Sequence, residues 1–183
     1  AAFGRLLDLL AQRRSSLDQL RSGRDGDALA RLLDQTRVIF SQARTIARDP
    51  NAPALERISA ASLLGRAPDD RSEALPLLTA WLDPRHHADV QAAAVRALAA
   101  TASPELPAIF ARSWPKLGPA TRLAALTAWL SREPWALDLV ERIERRELPV
   151  SAVDATQRAR LLRHESKRGS QLAAKGFDSA ATA

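Results

Sequence analysis

Four groups of residues in this chain are of types that do chemistry. His86 and His87 are adjacent, flanked by Asp83 and Asp89, and neutral imidazole is a common metal ligand. They lie in a proline-containing loop, however, and successive side chains on a regular backbone do not share a face. Two imidazoles converging on one ion are not expected there, and the aspartates are better suited to capping. Asp69 and Asp70 are neighbouring carboxylates, a type used in pairs for acid–base work. They precede a helix start, where negative charge suits the helix dipole, so capping is again the expected role. No G-x-S-x-G, P-loop or dinucleotide-type glycine pattern occurs. With no cysteine, disulfides, thiolate metal sites, a cysteine nucleophile and covalent c-type haem attachment are excluded within these residues. No catalytic, metal or cofactor-binding residue is assigned, and the chain is not expected to be an enzyme in its own right.

The third group is Trp81, Trp114, Trp129 and Trp135. Indole rings could stack on bases or sugars, but their neighbours are apolar helix positions, so packing is the expected role. The fourth group is the arginines. The net charge is +6, and of 27 basic residues only Lys116, Lys167 and Lys175 are lysine. A basic balance permits binding to nucleic acid or an anionic surface. It also fits the Arg-, Ala-, Leu- and Pro-rich usage of a GC-rich genome. The candidate interaction surface comprises Arg57, Arg96 and Arg122 on alternate helices, with Arg158, Arg160, Arg163, Lys167 and Arg168 near the end. The later cluster reads as the solvated face of a capping unit, an anion site or a surface that docks another domain.

The elements that position these residues are helical. Residues 1–20 place Phe3, Leu6, Leu7, Leu10, Leu17 and Leu20 on one helical face, and a second stripe runs from Leu29 to Ile46. Beyond Pro53 the helices shorten: Pro53–Leu64 ended by Gly65, Ser72–Leu82, His87–Thr101, Pro104–Trp114, Pro119–Leu130 and Pro134–Glu147. Ser151 to Asp154 resembles a capping box opening Asp154–His164, and a last helix covers about 168–177. Sustained period-2 alternation, the mark of a strand, is absent.

The helices repeat. Leu75, Leu106 and Leu137 are spaced 31 apart, as are Leu78, Ile109 and Val140. "SEALPLLT" at 72–79 aligns with "SPELPAIF" at 103–110, so Pro76 matches Pro107. With Ser72 and Ser103 as N-caps, both prolines fall at the end of a first turn, where proline is least costly. The alternate helices match as "ISAASLL", "AAAVRAL" and "LAALTAWL". A two-helix unit of about 31–34 residues therefore recurs roughly three times, a period that points to a solenoid whose neighbours share one core.

"VQAAAVRALAA" followed by "SPELPAIF" resembles the HEAT repeat. The resemblance implies an all-α fold, a right-handed α–α superhelix forming one solenoid domain over 1–183. Residues 1–48 would be a long N-terminal helix pair or cap, 53–150 the regular repeats, 151–177 a C-terminal capping pair and 178–183 a tail. A narrower resemblance, in "ERRELPVSAVDATQRARLLRHESKRGSQLAAKGF" at 144–177, is to the helical-repeat segment of planctomycete-type haem-binding membrane-bound dehydrogenases. Those chains join a propeller, a HEAT array and a cytochrome c module. It implies a spacer or docking module for other domains of a parent chain or for a protein partner, and a periplasmic or secreted setting. Neither propeller blades nor C-x-x-C-H occurs here, so no haem or other cofactor is assigned. Some HEAT-like proteins bind DNA along an arginine-lined concave face, which makes nucleic acid the alternative partner. The absence of methionine, even at position 1, fits a piece of a longer polypeptide. No run of about 18 apolar residues suggests a membrane span.

Overall fold

The computed structural model describes residues 38–67 and 71–162. The helices expected over 1–20 and about 168–177, the carboxylates Asp69 and Asp70, and the tail lie outside them. Among the described residues all regular structure is helical, in eight α-helices and two short 3₁₀ turns. Helix α1 occupies 38–48. It is followed by α2 (Ala54–Leu64), α3 (Arg71–Ala80), α4 (Ala88–Ala100), α5 (Leu106–Ser113), α6 (Pro119–Trp129), α7 (Glu133–Glu144) and α8 (Ala155–Leu162). The 3₁₀ turns are Trp114–Lys116 and Val150–Ala152. No described helix is long and apolar enough to cross a membrane. The chain divides into two compact units, 1–102 and 103–183.

In the first unit, α4 packs against α3 and, most extensively, against α2. Both helices bury small residues, Ala60 and Ala61 of α2 and Ala93, Ala94 and Ala97 of α4. Gly65 completes the α2–α4 contact. A Cβ at that position would stand 2.5 Å from the carbonyl oxygen of Ala97 and 2.7 Å from its Cα. The sequence marks Gly65 as a helix stop, and α2 does end at Leu64. Yet its φ is −63°, an ordinary right-handed value open to any residue. Glycine is needed for the close approach of two backbones, not for a left-handed cap. Arg44 and Arg48 of α1 reach the Glu73 carboxylate of α3 at 3.6 and 3.2 Å.

The second unit fills its core differently. Phe110 and Trp114 each meet Trp129 edge-on, with ring centroids 5.7 and 6.3 Å apart, an arrangement the ring quadrupoles favour. All four tryptophans of the chain are buried. Trp81 follows α3 rather than lying on it, and Trp114 opens a 3₁₀ turn. The end of α7 carries a left-handed residue, Arg146 at φ 60°. The Glu147 N–H bonds the Arg142 carbonyl and the Arg146 N–H that of Ile143, the paired closure of a Schellman motif. The Arg142 guanidinium bridges Asp138 and Glu147, both at 2.7 Å.

The aligned prolines occupy different helical positions. Pro107 falls in the first turn of α5, because that helix starts only at Leu106. The Ser103 hydroxyl still accepts the Glu105 N–H at 3.2 Å. Pro76 lies inside α3, where its missing N–H removes a helical bond to Ser72. The capping box is also displaced by one turn. Asp154, not Ser151, caps α8: its carboxylate accepts the Gln157 N–H at 2.7 Å, and the Gln157 side chain accepts the Asp154 N–H at 3.0 Å.

Candidate functional site

The arginines singled out by the sequence divide according to where their guanidiniums go. Arg57 is the fourth residue of α2. It donates to the carbonyl of Asp49 at 3.0 Å, to that of Pro50, and to Nδ1 of His86 at 3.0 Å. Arg122 is the fourth residue of α6. It donates to the carbonyls of Trp114 and Pro115 at 3.3 and 3.4 Å, and its guanidinium lies 5.4 Å from the centre of the Trp114 ring. Arg158 is the fourth residue of α8. It donates to the carbonyls of Val153 and Val150 at 2.9 and 3.1 Å.

A fourth member of the set is not an arginine. Gln91, fourth in α4, donates its amide N–H to the carbonyls of Asp83 and His86 at 2.9 and 3.3 Å. In all four helices the side chain engages the carbonyl eight residues earlier: Asp49, Asp83, Trp114 and Val150. The physical reason is the direction of a helical side chain. Its Cα–Cβ bond tilts toward the helix N-terminus, so a long donor in the first turn sweeps back over the incoming segment. The carbonyls it meets belong to turns and helix ends, and the one eight residues back also accepts, in each case, the N–H three residues further on: Ala52, His86, Leu117 and Val153. Each hydrogen bond to a charged donor is worth about 1.5–3 kcal/mol. Fourth-position side chains thus clamp the segment that leads into their own helix.

Burial grades the clamps. Arg57 is only 8% exposed and Gln91 5%, whereas Arg122 and Arg158 are half-buried. The Nε of Arg57 is buried without a hydrogen-bond partner. Of the remaining candidates, Arg96 is exposed on α4, and Arg160 lies on α8. Arg163, Lys167 and Arg168 fall outside the described residues. The structure therefore gives Arg57, Arg122 and Arg158 a shared intramolecular task and leaves Arg96 facing solvent.

The adjacent histidines part company. His87 is the N-cap of α4, and its ring nitrogen accepts the Asp89 N–H at 3.3 Å. His86 turns to Arg57. Among the described residues, no group of three or more His, Cys, Asp or Glu side chains is arranged to hold a metal ion. Asp83 is bound by the Arg85 side chain at 2.9 Å and by the Arg85 N–H at 2.9 Å, and these bonds lower its pKa to about 2. Burial, and then the nearby charge of Arg57, push the His86 imidazole below the usual histidine range.

The sequence reading missed Gln91, because it searched for charge and Gln91 has none. The available signal was positional: a long hydrogen-bond donor four residues into each alternate helix. Comparison with known protein families, with curated proteins and with solved structures finds no match to this chain.

Proposed function

We propose that this chain is a non-catalytic helical-repeat scaffold, HEAT-like in architecture, which spaces or docks other parts of a larger protein. The observation that carries this reading is the clamp, the same contact to the eighth residue back at the same helical position in α2, α4, α6 and α8. A bond tied to one position of a recurring helix pair is what a repeated structural unit uses to keep each pair in register, and such pairs stack into solenoids. The right-handed superhelix follows from that resemblance. Placement beside a haem-bearing redox domain rests on the likeness of residues 144–177 alone. Reading the coding sequence on either side of the chain tests it: C-x-x-C-H downstream and a strand-rich region upstream support the placement, and their absence refutes it.

The clamp also weighs on the choice of partner. Three arginines that could have lined a phosphate-binding face spend their N–H groups on backbone carbonyls, so a nucleic-acid-binding reading has fewer free cations to draw on. Titration of duplex DNA into the protein at about 50 and about 200 mM salt tests this. The scaffold reading expects no tight complex at either salt. A tight complex at the lower salt that weakens by about 10³-fold or more at the higher would transfer the assignment to nucleic-acid binding.

A further inference from the structure

His86 and Arg57 join two loops of the first unit through one hydrogen bond, and that bond depends on the imidazole being neutral. A guanidinium has donors only and stays protonated throughout the accessible pH range. The 3.0 Å contact between Arg57 NH1 and His86 Nδ1 therefore requires Nδ1 to accept, with the ring proton on Nε2. The same guanidinium holds the Asp49 and Pro50 carbonyls of the α1–α2 turn. The His86 carbonyl is held in turn by Gln91. The ring nitrogen of His86 thus connects the α3–α4 loop to the first turn of α2 and the α1–α2 turn, while its carbonyl connects the same loop to the first turn of α4.

We propose that His86 and Arg57 form a pH-sensitive latch, closed while the imidazole is neutral and opened when Nδ1 takes up a proton. Protonation removes the acceptor and sets a second positive charge against the guanidinium. The other charged groups acting on the ring are Asp83 and Arg85 of its own loop. They form an ion pair with each other, and Asp83 titrates only near pH 2, so neither changes state as His86 titrates. Burial and the Arg57 charge both oppose protonation of the folded ring. The unfolded chain then binds more protons than the folded one below the ordinary histidine value of about 6.5. Stability is fully present above that value and declines as pH falls through the interval down to the folded-state value.

The test is an imidazole nitrogen and carbon NMR titration of the full chain, with His86→Asn used to assign the resonance and remove the switch. The Asn side-chain oxygen occupies the place of Nδ1 and accepts at all pH values. The latch predicts an Nε2–H tautomer for His86 at neutral pH and a midpoint below about 6.5. It also predicts amide exchange at Ala52 and Arg57 that accelerates below that midpoint in the wild type, beyond the intrinsic pH trend, but not in His86→Asn. An Nδ1–H tautomer, a midpoint at or above the ordinary value, or the same acceleration in His86→Asn overturns it. Should His86→Asn not fold, the tautomer and midpoint of the wild-type ring, assigned by sequential connectivity, still decide the matter.

Discussion

The two units solve the same packing problem with opposite materials. In the first, α2 and α4 approach so closely that a Cβ on Gly65 would strike the backbone of Ala97, and both helices bury alanines. In the second, Phe110, Trp114 and Trp129 form an edge-to-face cluster. What stays constant is polar: a long donor at the fourth position of α2, α4, α6 and α8, bonded to the carbonyl eight residues back. The size of the core residues thus changes from one unit to the other while one side chain continues to fix the turn that enters each of these helices.

The largest expected effect lies in the aromatic core. Trp129→Ala removes a fully buried ring and should cost about 3–5 kcal/mol, measured by denaturant unfolding. A cost below about 1 kcal/mol would mean the cluster does not hold the second unit together. In the first unit, Gly65→Ala adds only a methyl group but drives it into backbone that cannot rotate aside. A loss of about 1–3 kcal/mol is expected. Gly118→Ser is the matched control, because a Cβ at Gly118 meets nothing within 4 Å, and it should stay within about 0.5 kcal/mol of the wild type. Equal effects at the two glycines would remove the close-approach account.

The clamps of the two units differ in burial. Arg57→Ala should cost more than Arg122→Ala, since Arg57 is buried and makes three bonds while Arg122 is half-buried with two longer ones. Values of about 2–3 and about 1 kcal/mol are expected. The smallest effect has the opposite sign. Arg146→Gly relieves a left-handed residue at the end of α7 and should stabilise the protein by up to about 1 kcal/mol, read as a rise in the unfolding midpoint.

Much of the helical pattern was legible because its punctuation is local. Pro53, Gly118-Pro119 and Pro134 mark helix starts within one residue of those observed. The alanine runs of α2 and α4 were legible as matching segments, but the packing of these two helices against each other, more extensive than that of α4 against α3, was not. Features that depend on where a helix begins were less legible. Two aligned prolines fell at different helical positions because α5 starts later than its sequence match to α3 implies. The box at Ser151 gave way to one at Asp154 because Val150–Ala152 forms a 3₁₀ turn. The arginines of the candidate surface were legible as residues of alternate helices, but not in register, since Arg96 is ninth in α4 rather than fourth, nor in direction. Whether a guanidinium faces solvent or folds back depends on the turn before its helix, and composition does not encode that turn. The left-handed Arg146 carried no glycine to announce it.

The most direct test of the clamp is amide hydrogen exchange by mass spectrometry on four forms of the chain: wild type, Arg57→Ala, Gln91→Ala and Arg122→Ala. Each substitution should accelerate exchange chiefly in the turn its own side chain holds, around 49–52, 83–87 and 114–118 respectively. Acceleration spread evenly over the chain, or none in those turns, would contradict the claim that these fourth-position side chains fix each helix pair.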